Sequence, residues 1–165
     1  MKYSFIIFAF IITAISFSAN AQSTVNASLS QVLTQYYDLK NALVSSDAVT
    51  ASKKAAALLA TVNGMDTKSL SPDENKAFSA VQNKLSYDSR HISEVQEIAH
   101  QREHFASLSI NIYSLAKATK LSSQPVYELY CPMKKAIWLS SDSTVKNPYY
   151  GSMMLTCGNV NDRIR

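Results

Sequence analysis

The sequence predicts an all-α fold: an up-and-down antiparallel bundle of about four helices, with an irregular C-terminal Cys/Met/aromatic segment packed on it. Three observations predict it. Only three of the 165 residues are glycine, and the chain is rich in Ala, Leu and Ser, which suits helices better than a turn-rich sandwich. Apolar residues recur at three- and four-residue steps between Ser28 and about Lys117. The gaps between these periodic runs are short, which makes successive helices antiparallel neighbours.

Residues 1–21 read as a signal peptide. Lys2 supplies the positive region, Phe5 to Ile12 the apolar run (diluted as far as Phe17), and Ala19 and Ala21 an A-x-A cleavage site. The run is shorter than the ~20 residues of a membrane span, and no charged stop-transfer cluster follows it. Cleavage after Ala21 is therefore expected, leaving no membrane span, and the absence of a cysteine there argues against a lipid anchor. The remainder, 22–165, is long enough for one helical domain with its own core and short for two.

The first helix is expected from about Ser28 to Leu43, carried by Leu29, Val32, Leu33, Tyr36, Leu39 and Leu43. Asp47 reads as the N-cap of a second, which continues through Ala55 to Leu59 and Val62 until Asn63-Gly64 stops it. Ser71-Pro72-Asp73-Glu74 opens a third: Ser as cap, Pro at the first helical position, and Glu three residues after the Ser. This helix carries Phe78, Val81 and Leu85. Ser93 with Gln96 resembles a second capping box, so a break is expected between Asp88 and Ser93. The fourth helix runs to about Lys117, with Val95, Ile98, Phe105, Ile112 and Ala116 on one face. Ser122 to Pro125 form a linker into the irregular segment, 122–165. There, Val126 to Tyr130 reads as a short extended piece and Met153 as the centre of one helical turn.

The net charge of +4 is spread along the chain, with no basic block of the kind that follows a phosphate backbone, which argues against nucleic acid. No G-x-S-x-G, Gly-rich phosphate loop or matched carboxylate pair appears, so an enzyme is not expected.

Chemistry concentrates near the C-terminus. Tyr130-Cys131-Pro132-Met133 places a thiol and a thioether two residues apart, and Met153-Met154-Leu155-Thr156-Cys157-Gly158 places thioethers just before a thiol. Such soft donors select Cu(I) or Ag(I) over hard ions. Pro132 restricts the backbone between the first pair, and Gly158 allows a sharp turn after the second cysteine. Two cysteines in an oxidising compartment also make a disulfide, whose closure stabilises a fold by roughly 3–4 kcal/mol in the chain-entropy treatment. Disulfide, metal site and two unlinked thiols are all compatible with the residues.

His100 and His104, four apart on one helix, could share an ion. However, His100-Gln101-Arg102-Glu103-His104 displaces the Glu of H-E-x-x-H, and both imidazoles fall at or beyond the edge of the apolar face. Solvated side chains are expected. Arg102 and Ser109 lie inside the apolar stripe, so Arg102 is expected to hold C-terminal carbonyls or a carboxylate.

The runs Arg90-His91-Ile92-Ser93, His100 to Ser109, Cys131-Pro132-Met133, Trp138-Leu139-Ser140, Asn147-Pro148-Tyr149-Tyr150-Gly151 and Met154-Leu155-Thr156-Cys157-Gly158 together resemble domain of unknown function 3347. Members of that bacterial envelope family occur alone or fused to periplasmic adaptor subunits of heavy-metal efflux pumps of the resistance-nodulation-division type. Tyr130-Cys131-Pro132-Met133 is also similar to the Y-x-C-P-M core of small metal-binding domains on copper and silver transporters, with Lys134-Lys135 in place of the usual His-Pro.

The resemblance implies a helical bundle, a periplasmic location and an efflux context. It favours Cu(I) or Ag(I) held by Cys131, Met133, Met154 and Cys157; Met153 drops out because the family pattern retains the second Met. The expected function is a metal-binding accessory domain that sequesters the ion or passes it to an efflux adaptor. The rival is a disulfide-locked module without metal, in which Tyr127, Tyr130, Trp138, Tyr149 and Tyr150 form a docking surface.

Overall fold

A computed structural model describes residues 25–165, so the expected signal peptide, 1–21, lies outside the described residues. Four helices come first: α1 Ala27–Val44, α2 Ala48–Asn63, α3 Pro72–Glu94 and α4 Ile98–Ala118. Three start with a side-chain cap. Asn26 accepts from the Ser28 and Leu29 amides, Asp47 accepts from Thr50, and Ser71 with Glu74 closes a reciprocal box behind Pro72. Each cap satisfies N–H groups that a helix start leaves unpaired, a contribution of about 1 kcal/mol.

The expected break between Asp88 and Ser93 is not present. α3 continues to Glu94, and the Ser93 hydroxyl donates back to the Arg90 carbonyl instead of capping α4. Residues 95–97 make the link, and Glu97 caps α4 with no side-chain bond. A buried amide fixes the link itself. Gln101 Nε2 donates to the carbonyls of Val95 at 2.8 Å and Ala48 at 2.9 Å, fastening the link to the start of α2.

Each helix packs chiefly on the next in sequence and runs back along it. Lys54 pairs with Asp38 between α1 and α2, Ser86 bonds Asn63 between α2 and α3, and His104 bonds Asp88 between α3 and α4. The apolar stripes (Leu29, Leu33 and Leu43; Ala51 and Leu58; Phe78, Leu85 and Ile92; Phe105, Leu108 and Ile112) meet in one core. Full burial of each larger side chain is worth about 1.5–3 kcal/mol. Among the described residues, no helix is long and apolar enough to cross a membrane.

The fold is not purely all-α. The segment expected to be irregular holds an antiparallel sheet: β1 Val126–Cys131, β2 Ala136–Ser140 and β3 Asn159–Ile164, in the order β2-β1-β3. Leu129 pairs with Trp138 and Cys131 with Ala136 on one side of β1, while Tyr130 pairs with Asn159 on the other. β-branched and aromatic residues suit this half-buried pleat. The extended piece expected from Val126 to Tyr130 is β1, whereas β2 and β3 were not expected; β2 is buried almost continuously and so shows no alternation. The hairpin turn also lacks Asn-Gly or Asp-Gly, and Lys135 supplies the left-handed residue instead, at φ +55°.

The sheet rests on α4 through β2. The Tyr36 ring stacks on Phe105 at 5.2 Å, while its hydroxyl bonds Ser109 at 2.7 Å and accepts from the Leu139 amide at 3.0 Å. Arg102, 7% exposed, donates to the carbonyls of Leu43 and Pro148 and to the Ser46 hydroxyl, the C-terminal contact its place in the apolar stripe predicts. Ser109 serves Tyr36 rather than Arg102.

Candidate functional site

β1 ends on Cys131, fully buried at the mouth of the hairpin turn. Cys157 arrives from the far side, after a 3-10 turn at Gly151–Met154, and is half-buried. Both are free thiols, and the pairing of Tyr130 with Asn159 brings their two segments side by side. Loss of solvent, and then the neighbouring Cys131 sulfur, push the Cys157 thiol above its ordinary pKa; a bond from the Met133 amide acts the other way.

Asn147 holds the pair in place. Its side-chain amide donates to Cys131 Sγ at 3.2 Å and to the Cys157 carbonyl at 2.7 Å, and its oxygen accepts from the Tyr149 amide at 2.8 Å. Gly158 completes the approach at φ +150°, where a Cβ would stand 2.7 Å from Trp138 Cη2 and 2.9 Å from the Tyr130 carbonyl oxygen. A side chain there would force the chain, and Cys157 with it, away from β1.

Of the two methionines, Met133 sits in the turn, 62% exposed. Met154 is half-buried, and its carbonyl accepts from the Cys157 amide at 3.0 Å. The structure thus brings the two cysteine segments together through Asn147, each with a methionine near in sequence. Met153 is exposed.

The aromatic residues do not form one surface. Trp138 and Tyr149 are buried edge to face at 6.2 Å, and the Tyr149 hydroxyl donates to the Ile137 carbonyl. Tyr127, Tyr130 and Tyr150 are half-buried.

A second cluster corrects the expectation of solvated histidines. His91 of α3 joins His100 and His104 of α4, all half-buried, with one ligand nitrogen from each lying within 4.8 Å of the others. The sequence reading paired the two residues on one helix and missed the third across the link. A signal was there to find: His91 and His100 each stand about a turn from the α3–α4 connection, on opposite sides of it.

A four-helix bundle with an appended three-stranded sheet, carrying one cluster of sulfur ligands and one of imidazoles, defines a small α-plus-sheet domain with ligand-type side chains at two places. The chain belongs to the family described as protein of unknown function (DUF3347), whose model matches residues 32–124, more than half its length. That span takes in most of α1 and all of α2, α3 and α4, with Arg102 and the three histidines. It ends before β1, so Cys131, Met133, Met154 and Cys157 lie beyond it. No curated protein and no solved structure matches the chain.

Proposed function

We propose that this protein is a periplasmic metal-binding accessory domain that takes a soft monovalent ion, Cu(I) or Ag(I), and sequesters it or passes it to the adaptor of a heavy-metal efflux system. The observation that carries the reading is the approach of Cys131 and Cys157 from separate segments, bridged by the Asn147 side-chain amide, which donates to Cys131 Sγ at 3.2 Å and to the Cys157 carbonyl at 2.7 Å. Two thiolates and thioethers match a soft d¹⁰ ion, whereas zinc sites draw on Cys with His and make little use of thioether. Met133 lies exposed in the turn after Cys131, and Met154 lies one turn before Cys157, so each thioether stands close in sequence to one of the thiols.

Titration of the reduced protein against a competing Cu(I) chelator tests this. One equivalent should bind, with affinity reduced in Cys157→Ser and Met133→Leu. Unchanged affinity in both variants, or no competition, removes the metal reading. The same approach of the two cysteines favours one alternative, a disulfide-locked module of the envelope, because a bridge needs its sulfurs adjacent. Thiol counting on freshly isolated protein, with metal content measured alongside, separates the two. The burial of Trp138 and Tyr149 leaves that alternative a smaller aromatic docking surface.

A further inference from the structure

We propose that His91, His100 and His104 form a second metal site, independent of the sulfur ligands and suited to a borderline divalent ion, Zn(II) or Cu(II). The three rings converge from two helices: His91 and His104 stack at 4.5 Å, and His100 meets His104 edge-on at 4.8 Å. Their ligand nitrogens lie within 4.8 Å of one another. Metal–nitrogen bonds of about 2.0–2.1 Å in a tetrahedral site bring nitrogens to roughly 3.3–3.4 Å, so side-chain torsions close the site without moving a helix.

The arrangement behind the rings is that of a ligand set. His104 Nδ1 bonds Asp88 Oδ1 at 2.9 Å, and the Asp88 side chain is only 4% exposed. That carboxylate holds the proton on Nδ1 and turns Nε2 outward, the orientation that carboxylate partners impose on metal-bound histidine. His100 Nδ1 lies 3.8 Å from Glu103 Oε2, a weaker version of the same support. Tyr87 packs against His91 at 4.3 Å and His104 at 5.7 Å and restricts both.

Three half-buried imidazoles from two helices thus meet at one point, with a buried carboxylate behind one of them. Neutral imidazole with no thiolate selects Zn(II) or Cu(II) rather than the soft monovalent ion, and the fourth position is left to water.

Co(II) is the diagnostic probe. Added to the reduced wild-type protein, it should give tetrahedral d–d bands with no thiolate-to-metal charge transfer, and Zn(II) should displace it at one equivalent. His100→Ala should weaken Zn(II) binding at least about tenfold; Asp88→Asn should weaken it by about 10–100-fold, the range for carboxylate partners of metal ligands. His100 is 38% exposed, so its replacement leaves the fold intact, which thermal melting by circular dichroism checks. Unchanged affinity in His100→Ala, no binding, or charge-transfer bands that vanish in Cys157→Ser would each overturn the proposal. Failure of the Cu(I) titration with a persisting Co(II) spectrum would remove the sulfur site and leave this one standing.

Discussion

The Nε of Arg102 donates to the carbonyl oxygen of Pro148 at 2.8 Å, and this bond ties the middle of the helical bundle to the loop that delivers Cys157. The same guanidinium reaches Leu43 and Ser46, so it joins α4 to the end of α1 and to the loop at Pro148. Arg102→Ala leaves two buried carbonyls without a donor, and we expect a loss of about 3 kcal/mol. Arg102→Lys should recover less than half, because one ammonium does not reproduce the planar fork. Urea denaturation measures both, and a neutral Arg102→Ala would contradict the role.

Tyr36→Phe keeps the ring on Phe105 and removes the oxygen that serves Ser109 and the Leu139 amide. A buried amide left without an acceptor costs about 1–3 kcal/mol. Hydrogen exchange at Leu139 should accelerate beyond what the global loss of stability explains. Unaltered exchange there would show that the strand does not depend on this bond.

The Cys157 thiol is held above its ordinary pKa, so it carries less thiolate at neutral pH than a free cysteine does. Alkylation should be slow near neutrality and rise only as the pH passes beyond the usual thiol range. Cys131→Ser removes the neighbouring sulfur and should move that rise to lower pH. Rate-against-pH curves that coincide for the two proteins would count against the coupling.

Asp162 of β3 accepts from the Tyr113 hydroxyl at 2.9 Å and the Lys117 ammonium at 3.0 Å, and these bonds hold its carboxyl below the ordinary range. Because the folded pKa is lowered, the stabilisation is full above the unfolded value of about 3.9 and is lost as pH falls through the folded one. We expect β3 amides to lose protection below about pH 4, ahead of the helices. In Asp162→Asn they should be weakly protected already at neutral pH, with no further acid step. Amide exchange followed from neutral to acid pH checks this.

The helices were legible because their signals are local. Asp47 and the Ser71–Glu74 box cap the helices they were expected to cap, and the stripe from Phe105 to Ile112 is buried. Of the C-terminal segment, the extended run Val126 to Tyr130 was legible as β1, as was the turn at Met153, but β2, β3 and their pairing were not, since the hairpin turns on Lys135 rather than on a glycine. Cys131 and Cys157 were readable as candidates from donor chemistry, but Asn147, which positions both, announces itself by no local pattern. His91 was missed for a related reason: helical spacing relates residues on one helix, whereas this cluster spans two.

The bond from Leu139 to Tyr36 joins positions 103 residues apart, while each helix pairs mainly with its neighbour in sequence. A timetable of assembly follows. Helical hairpins close short loops on the microsecond scale, but the sheet has no platform until α1 and α4 are already side by side. The sheet is then the last part of this domain to settle. For that interval Cys131, buried in the finished molecule, stands open to whatever oxidant or stray ion is present, an exposure that docking of the sheet then ends.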